Sequence, residues 1–440
     1  MIPAWIQQFM LLDLFPLSAA VMAAVSCGLL GNFLVLRRQS LMGDAISHAV
    51  LPGLVAAFLI TQSRRPEIMF IGAAVSALAT VVLTELIKRL GRVEPGAAMG
   101  VVFSVLFALG VYLLENAAAR SVDLDADCVL HGNLQTLFWA EPPTQWSGLF
   151  DSQTLGQIPR QVWTLVVTLV AVFAFVGLFF KELRIVSFDP GIATAQGIHA
   201  GGMHMALMTF VAIAAVASFE AVGSILVIAM LICPAATARL LTDRLASQLT
   251  VSVGVSVLTA LIGYGAASVM GVNAAGMMAS VSGVLLVAAI VASPSHGVIA
   301  RSRNQRRIGR SVATEDVLGA LYRLGEIGKT AARGQLVKML GAPARTKTAI
   351  ERAIGDGLIT ERAGRLELTD TGRAHGAAII RRHRLWEGYL VDEAGLSPDH
   401  VHATAERLEH LDLSERLGRG GTPELDPQGK PIPPGDRPTL

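Results

Sequence analysis

The chain has 440 residues, of which 52% are hydrophobic and 16% charged, and its mean hydropathy is +0.53. This composition is too apolar for an ordinary soluble protein, and a net charge of +2 indicates no particular partner. The first 300 residues carry 28 charged side chains, whereas the last 140 carry 42. We therefore predict a polytopic membrane domain followed by a water-soluble domain.

Membrane-spanning helices require about 20 mainly apolar residues. Segments that approach this pattern predict spans at 14–36, 47–61, 68–87, 97–114, 162–180, 203–219, 221–240, 249–268 and 276–293. The short second segment and the adjacent pair within 203–240 fit the pattern least well, so we expect eight to nine spans. With the N-terminus outside, the inner loops hold nine arginines and lysines and the outer loops four, which favours this orientation. It places the C-terminal domain in the cytoplasm.

The stretch GDAISHAVLPG, residues 43–53, carries an acid and an imidazole among small and apolar residues. Asp44 and His48 are four residues apart and therefore share one helical face. Ionisable groups at membrane depth are costly, and this combination suits a divalent transition metal such as manganese, iron or zinc. A structural Asp–His pair or an interfacial loop is the alternative. We expect Pro52-Gly53 to break the helix.

A second stretch, FDPGIATAQGIHAG at 188–201, lies between two predicted spans on the inner side. Its Asp-Pro start and its small residues predict a short helix that lies in the cleft of a partner. A simple loop is the alternative.

Three stretches together resemble the permease subunit of the metal-ion ABC importers, which import manganese, zinc or iron: RRQSLMGDAISHAVLPG (37–53), FDPGIATAQGI (188–198) and EAVGSILVIAMLICPAATARLLT (220–242). The resemblance covers about residues 15–295. It implies a homo- or heterodimer of permeases, a separate cytoplasmic ATPase and an extracytoplasmic metal-binding protein. The chain has no GxxxxGK[ST] loop, so we expect no enzyme activity in it and ATP hydrolysis by the partner.

The resemblance also implies roles for single residues. Asp44 and His48 would line the ion path, with Asp123 of the outer VDLD run as a further candidate. Glu220 stands where the family has a neutral glutamine, so it either adds a carboxylate to the path or is a paired structural residue. Segment 188–198 would be the coupling helix that contacts the ATPase, through Asp189, Pro190, Ala193 and Gly197. An importer of siderophores or vitamins is the competing interpretation, because large organic ligands need no acid and imidazole near the path.

The C-terminal part has the element order of a winged helix-turn-helix. Residues 314–330 show helical periodicity, shorter helices follow up to residue 359, and ERAGRLELTDTG alternates like a two-stranded wing. The second helix of the turn carries three candidates for phosphate contacts, Arg345, Lys347 and Arg352. Basic residues on a solvated helix are common, so this pattern alone is weak.

Further along, acids and histidines recur at helical spacing. His383 and Glu387 are four residues apart, and a second helix face carries His402, Glu406, Glu409 and His410. Such a set is typical of a site for divalent ions that prefer oxygen and nitrogen ligands, and solvated helix charges are the alternative.

Residues from about 314 to 435 resemble the diphtheria-toxin-repressor family of manganese- and iron-responsive regulators, through RRHRLWE, AERLEH and DPQGKPIP. The resemblance implies an ancillary metal site of His383, Glu387 and His402. It also implies a primary site of Asp316, Glu406, Glu409 and His410. A carboxylate in place of a thiolate at Glu406 favours Mn(II) or Fe(II). Gly319 departs from the manganese type, which often has a second acid there.

The sequence therefore predicts a mainly α protein: a permease domain (1–298), a linker (299–312), a winged helix-turn-helix (313–374) and a metal-binding and dimerisation domain (375–440). We expect an inner-membrane importer subunit for manganese, then iron or zinc, with a cytoplasmic tail that senses the metal and regulates transport. The basic run at 301–307 is interpreted as an anchor on membrane lipid. A membrane-tethered, metal-dependent regulator that binds DNA and a tail that only dimerises are the alternatives.

Overall fold

The computed structural model describes residues 4–63, 65–118, 132, 134–139, 156–294, 297–410 and 424–434. The chain forms two compact units, Met1–Ala300 and Arg301–Leu440. The division follows the change in charge density along the sequence.

The first unit is helical in the residues that the structure describes. Its helices are α1 (Ala4–Leu12), α2 (Leu14–Leu36), α3 (Met42–Thr61), α4 (Pro66–Gly91), α5 (Pro95–Ala118), α6 (Arg160–Leu178), α7 (Phe180–Phe188), α8 (Pro190–Ala195), α9 (Ala200–Leu241), α10 (Leu245–Met270) and α11 (Ala274–Ala292), with a 3-10 turn at Leu134–Thr136. Eight of these helices, α2–α6 and α9–α11, are long and apolar enough to cross a membrane.

Helix α9 has 42 residues, about twice the length that a bilayer requires, and it breaks at Gly223, where φ is 77° and ψ is 165°. Its two ends lie at the same end of the bundle. His204, near its start, contacts Arg37 after α2. Gln248, in the first turn of α10 directly after the end of α9, donates a hydrogen bond to Asn32 near the end of α2. Helix α9 is therefore a hairpin, and its two arms correspond to the two predicted spans within 203–240.

The predicted helix break at Pro52-Gly53 is wrong, because α3 is continuous and begins five residues before the predicted span. Pro52 has no amide hydrogen for the carbonyl of His48. Close packing against α4 compensates for this lost hydrogen bond. A Cβ added at Gly53 would lie 2.2 Å from the carbonyl oxygen of Gly72 in α4, and a Cβ added at Gly72 would lie 2.4 Å from the carbonyl oxygen of Gly53. Such close approach through small residues stabilises helix pairs in membranes.

The second unit comprises α12 (Val298–Glu326, beginning in the last residues of the first unit), α13 (Arg333–Leu340), α14 (Pro343–Gly355), the antiparallel strands β1 (Ile359–Arg362) and β2 (Arg365–Leu368), α15 (Asp370–Asp392) and α16 (His402–Leu408). This is the predicted order of helices and wing. Segment 299–312, predicted as a linker, is helical and belongs to α12. Helix α15 begins five residues before the predicted domain boundary, with Thr369 as its N-cap.

Residues 424–434 pack on α15 through two arginines, the buried Arg384 and the half-buried Arg381, which donates a hydrogen bond to the carbonyl of Pro433. Arg384 contacts Glu326 at 2.7 Å and Asp426 at 3.5 Å, and it donates a hydrogen bond to the carbonyl of Pro431. This arrangement fixes the part of α15 that carries His383.

Candidate metal centres

The first group of possible metal ligands, which we name the His383 cluster, consists of His383, Glu387 and His402. Helix α15 places His383 and Glu387 one turn apart, and both are nearly completely buried. His402 begins α16, and its Nδ1 lies 2.8 Å from Glu387 Oε1, which is 3.1 Å from His383 Nε2. The potential ligand atoms all lie within 4.8 Å of one another. The resemblance assigned these three residues to the ancillary site, and their role as ligands stays a prediction.

The second group, the His410 cluster, consists of Asp316 from α12 together with Glu409 and His410 directly after α16. His410 Nε2 lies 3.2 Å from Asp316 Oδ1, and one ligand atom from each residue again lies within 4.8 Å of the others. These are three of the four residues predicted for the primary site.

Glu406, the fourth, is exposed and lies outside both clusters. The histidines of both clusters are already paired with other acids, so Glu406 has no cationic partner among them. Because an unpaired carboxylate is costly to bury, its side chain stays in water. Its role as a ligand stays a prediction.

Glu315, which neighbours Asp316 on α12, was not among the predicted ligands. Its Oε2 lies 2.9 Å from His410 Nδ1, so the two ring nitrogens of His410 face two different carboxylates. Arg382 lies 3.4 Å from the same oxygen. A carboxylate on the second nitrogen orients a metal-binding histidine and fixes its tautomer, which is the position Glu315 takes. The signal in the sequence was the adjacent pair of acids.

Glu409 connects the two clusters. Its Oε2 lies 2.6 Å from His383 Nδ1 and 3.4 Å from Arg323 Nη2. His383 is thereby held between Glu387 and Glu409 with both ring nitrogens on carboxylates.

Pairing with carboxylates raises the pKa of both His383 and His410. Burial alone would lower the pKa of His383, but the hydrogen bonds to Glu387 and Glu409 outweigh burial and raise the pKa above its ordinary value. Hydrogen bonds to Asp316 and then Glu315 raise the pKa of His410 to about 9. Near neutral pH the ring of His410 is therefore a cation among carboxylates, a positive charge that a bound divalent metal would replace. The pairing of His383 with Glu387 and Glu409 shifts its pKa in the same direction.

The donor set of both clusters consists of carboxylates and imidazoles. All three cysteines of the chain lie in the first 300 residues, so no thiolate of the chain's second unit contributes. Hard oxygen and borderline nitrogen ligands without sulfur fit Mn(II) or Fe(II).

In the first unit, Asp44 and His48 face the same side of α3, and His48 Nε2 lies 3.5 Å from Asp44 Oδ1. The ring of His48 packs against two aromatic rings of α5, with centroids 5.0 Å from Phe103 and 5.4 Å from Phe107. Both polar side chains keep about a third of their surface exposed. They are held in place while remaining accessible.

The other two candidates for the ion path have different outcomes. Glu220 is hydrogen bonded to Gln161 and lies within electrostatic reach of Arg160 and Glu67. This favours the alternative of a paired structural residue over a path ligand. Asp123 lies outside the described residues.

The predicted short helix on the inner side is α8. Asp189 caps it, since its Oδ1 accepts hydrogen bonds from the amides of Gly191 at 2.8 Å and Ile192 at 3.0 Å. Pro190 occupies the first turn, Ala193 is buried, and Gly197 follows with φ 80°. The remaining surface is exposed, as a docking helix requires.

The three basic candidates lie on α14. Arg345 and Arg352 donate hydrogen bonds to the carbonyls of Gly309 and Arg310 in α12, at 3.3 and 3.4 Å. Lys347 is exposed.

Eight apolar helices with a polar pair on one of them define a multi-pass membrane protein, and comparison with known proteins gives its family. Residues 11–140 and 149–293 match the model of the ABC 3 transport family, and the chain belongs to that family. Residues 369–434 match the iron dependent repressor, metal binding and dimerisation domain. The chain thus joins a transport permease to a repressor-type metal-binding domain.

Relatives agree with this assignment. The manganese transport system membrane protein MntD of Bacillus subtilis is 41% identical over 288 residues, which are 65% of this chain and 93% of the relative. The structure of PsaBC from Streptococcus pneumoniae in complex with Fab has a TM-score of 0.52 and 28% identity, and the match covers 64% of this chain and 92% of that one.

A third relative extends beyond the first unit. The manganese transport system membrane protein MntC of Bacillus subtilis is 29% identical over 418 residues, 91% of this chain and 89% of the relative. An alignment of that length includes most of the second unit, so the joined architecture is shared.

Proposed function

We propose that the chain is the permease subunit of an importer for a divalent transition metal, manganese before iron or zinc, and that its second unit senses the same metal in the cytoplasm. The observation that carries this proposal is the pair of thiol-free carboxylate–imidazole clusters in a chain that also belongs to a transport family. The two Bacillus subtilis relatives described above are named as manganese transport proteins, which supports the choice of metal.

In the membrane unit, Asp44 and His48 would contact the ion during passage. Their aromatic support by Phe103 and Phe107 keeps the imidazole in one orientation, and their partial exposure leaves room for a hydrated cation. A second permease, a cytoplasmic ATPase and an extracytoplasmic metal-binding protein complete the assembly. Helix α8 would dock on the ATPase, which suits its capped and exposed form.

In the second unit, metal would bind at the carboxylates that now surround His383 and the protonated ring of His410. The clusters would then exist in two states, one protonated and one metal-bound. Feedback requires that metal bind more tightly to the form of the tail that slows transport than to the other form. Rising cytoplasmic metal would then favour the form of the tail that slows transport.

Uptake assays test the import function. The purified chain, reconstituted with its ATPase and binding protein, is expected to accumulate Mn(II) in vesicles in an ATP-dependent manner and to prefer it over Zn(II). Uptake of an iron–siderophore complex without uptake of free metal ions would contradict the proposal.

A further inference from the structure

A basic cavity of about 620 Å³ lies within the second unit, between the first half of α12 and helix α14. Four arginines line it: Arg306 and Arg310 from α12, and Arg345 and Arg352 from α14. Arg306 and Arg310 are one turn apart, and Arg345 and Arg352 are two turns apart, so each pair shares a helix face. None of the described lining residues is acidic.

The positive charge of these four arginines favours binding of an anion in the cavity. Like charges one helical turn apart, such as Arg306 and Arg310, destabilise a helix. Here four arginines face one cavity without a carboxylate among its described lining. Arginine binds phosphate with paired N–H donors and is only weakly hydrated, which makes it the preferred residue at phosphate sites. The volume is within the range of small-ligand pockets, about 300–1,000 Å³.

The same geometry disfavours a DNA duplex. A helix that reads DNA enters a groove about 12 Å wide and must protrude from its domain with its N-terminal residues free. Near the N-terminus of α14, Arg345 instead donates to the carbonyl of Gly309, and Arg352 further along donates to that of Arg310. The face of α14 that carries these arginines therefore forms one wall of a cavity, and α12 forms the other wall.

We propose that this cavity binds the phosphate ester of an anionic phospholipid headgroup. Ser302, which lines the cavity, follows the last membrane helix (ending at Ala292) by ten residues, and ten residues reach at most about 35 Å. The bilayer surface is therefore within reach. Basic clusters close to the cytoplasmic end of a membrane helix attract anionic lipids. This site is separate from both metal clusters and does not depend on the proposed transport function.

Titration calorimetry of the full-length chain in neutral detergent tests the site. Short-chain phosphatidylglycerol is expected to bind saturably, and short-chain phosphatidylcholine is not. Arg310→Gln/Arg345→Gln is expected to weaken phosphatidylglycerol binding at least about tenfold. Arg306→Gln, which removes one charge and none of the α12–α14 hydrogen bonds described above, should weaken it in the same direction. The control Arg362→Gln/Arg373→Gln changes two exposed arginines elsewhere in the unit and should bind as the wild type does.

Two further titrants identify the source of the phosphate. Glycerol 3-phosphate is expected to bind more weakly than the lipid; equal affinity would overturn the lipid assignment. A short DNA duplex that binds the wild type and is lost in Arg310→Gln/Arg345→Gln would likewise overturn it, as would phosphatidylglycerol binding that neither cavity variant reduces.

Discussion

The Glu409 carboxylate lies 2.6 Å from His383 Nδ1, although the two residues belong to different metal clusters. Glu409 is nearly completely buried, and its second close cationic neighbour is Arg323. Neither cluster can therefore change its charge without affecting the other. The proposed metal sensing uses this coupling: protons would hold one charge state of the second unit and metal the other.

The first prediction concerns pH. The raised pKa of His410, about 9, and the raised pKa of His383 mean that metal must displace protons at neutral pH. We expect the metal affinity of the second unit to increase from about pH 6 to about pH 9, by roughly tenfold per pH unit for each displaced proton. Conversely, the stabilisation that His410 gives the metal-free fold is complete below about pH 6.5 and is lost as the pH rises through about 9.

Calorimetry of Mn(II) binding in two buffers with different ionisation enthalpies counts the released protons. The full-length chain should release at least one proton per bound metal at pH 7. Binding without proton release at that pH would show that the histidines are not displaced from their carboxylates.

The second prediction concerns Glu315. If this carboxylate orients His410 through Nδ1, then Glu315→Leu should weaken Mn(II) binding by about 10- to 100-fold. Glu315→Gln keeps a carbonyl oxygen that accepts the Nδ1–H hydrogen bond and should retain most of the affinity. The comparison separates orientation from general charge, because both variants lose the same charge. An equal loss in both would rule out the orienting role.

The third prediction concerns Asp44 and His48. Asp44→Asn and His48→Ala should each reduce metal uptake strongly while leaving assembly with the ATPase intact. Thr61→Val, at the exposed end of the same helix, is the matched control and should transport normally. Uptake of Mn(II) by vesicles containing each variant is the measurement. Normal uptake in both path variants would exclude these residues and reopen the siderophore or vitamin interpretation.

The fourth prediction concerns the cap of α8. Removal of an N-cap side chain costs about 0.5–2 kcal/mol of helix stability, and asparagine caps about as well as aspartate. Asp189→Ala should therefore lower metal-stimulated ATPase activity of the assembled complex, whereas Asp189→Asn should restore it. If alanine has no effect, or if asparagine is as damaging as alanine, α8 does not couple the two subunits through its capped form.

The family resemblance grouped His383, Glu387 and His402, and the structure brings these three side chains together. Helical spacing alone paired His383 with Glu387 and placed His402 with the residues of the other cluster. It could not distinguish Glu406 from Glu315. Helical spacing placed Glu406 beside His410, whereas Glu315 precedes His410 by 95 residues. Only the packing of α12 against the residues after α16 brings Glu315 to the ring.

The membrane unit shows the same limit. Hydropathy located the apolar segments and divided 203–240 into two spans. The residue at which α9 reverses, Gly223, was not identified, because its positive φ is invisible to a window average. Pro52 was expected to end α3 because local rules disfavour proline within a helix. The close contact between Gly53 and Gly72 overrides that preference, and such a contact between two helices cannot be read from either helix alone.

Inhibition by internal metal tests the central claim most directly. Vesicles containing the chain, its ATPase and its binding protein are loaded with increasing Mn(II), and initial uptake is measured for the wild type, for Glu409→Ala/His410→Ala, and for a control, Glu393→Ala/His400→Ala, that changes an exposed acid and an exposed histidine of the same unit. Internal metal is predicted to slow the wild type and the control, while the cluster variant keeps its full rate. Equal inhibition of all three proteins would contradict metal sensing by the second unit.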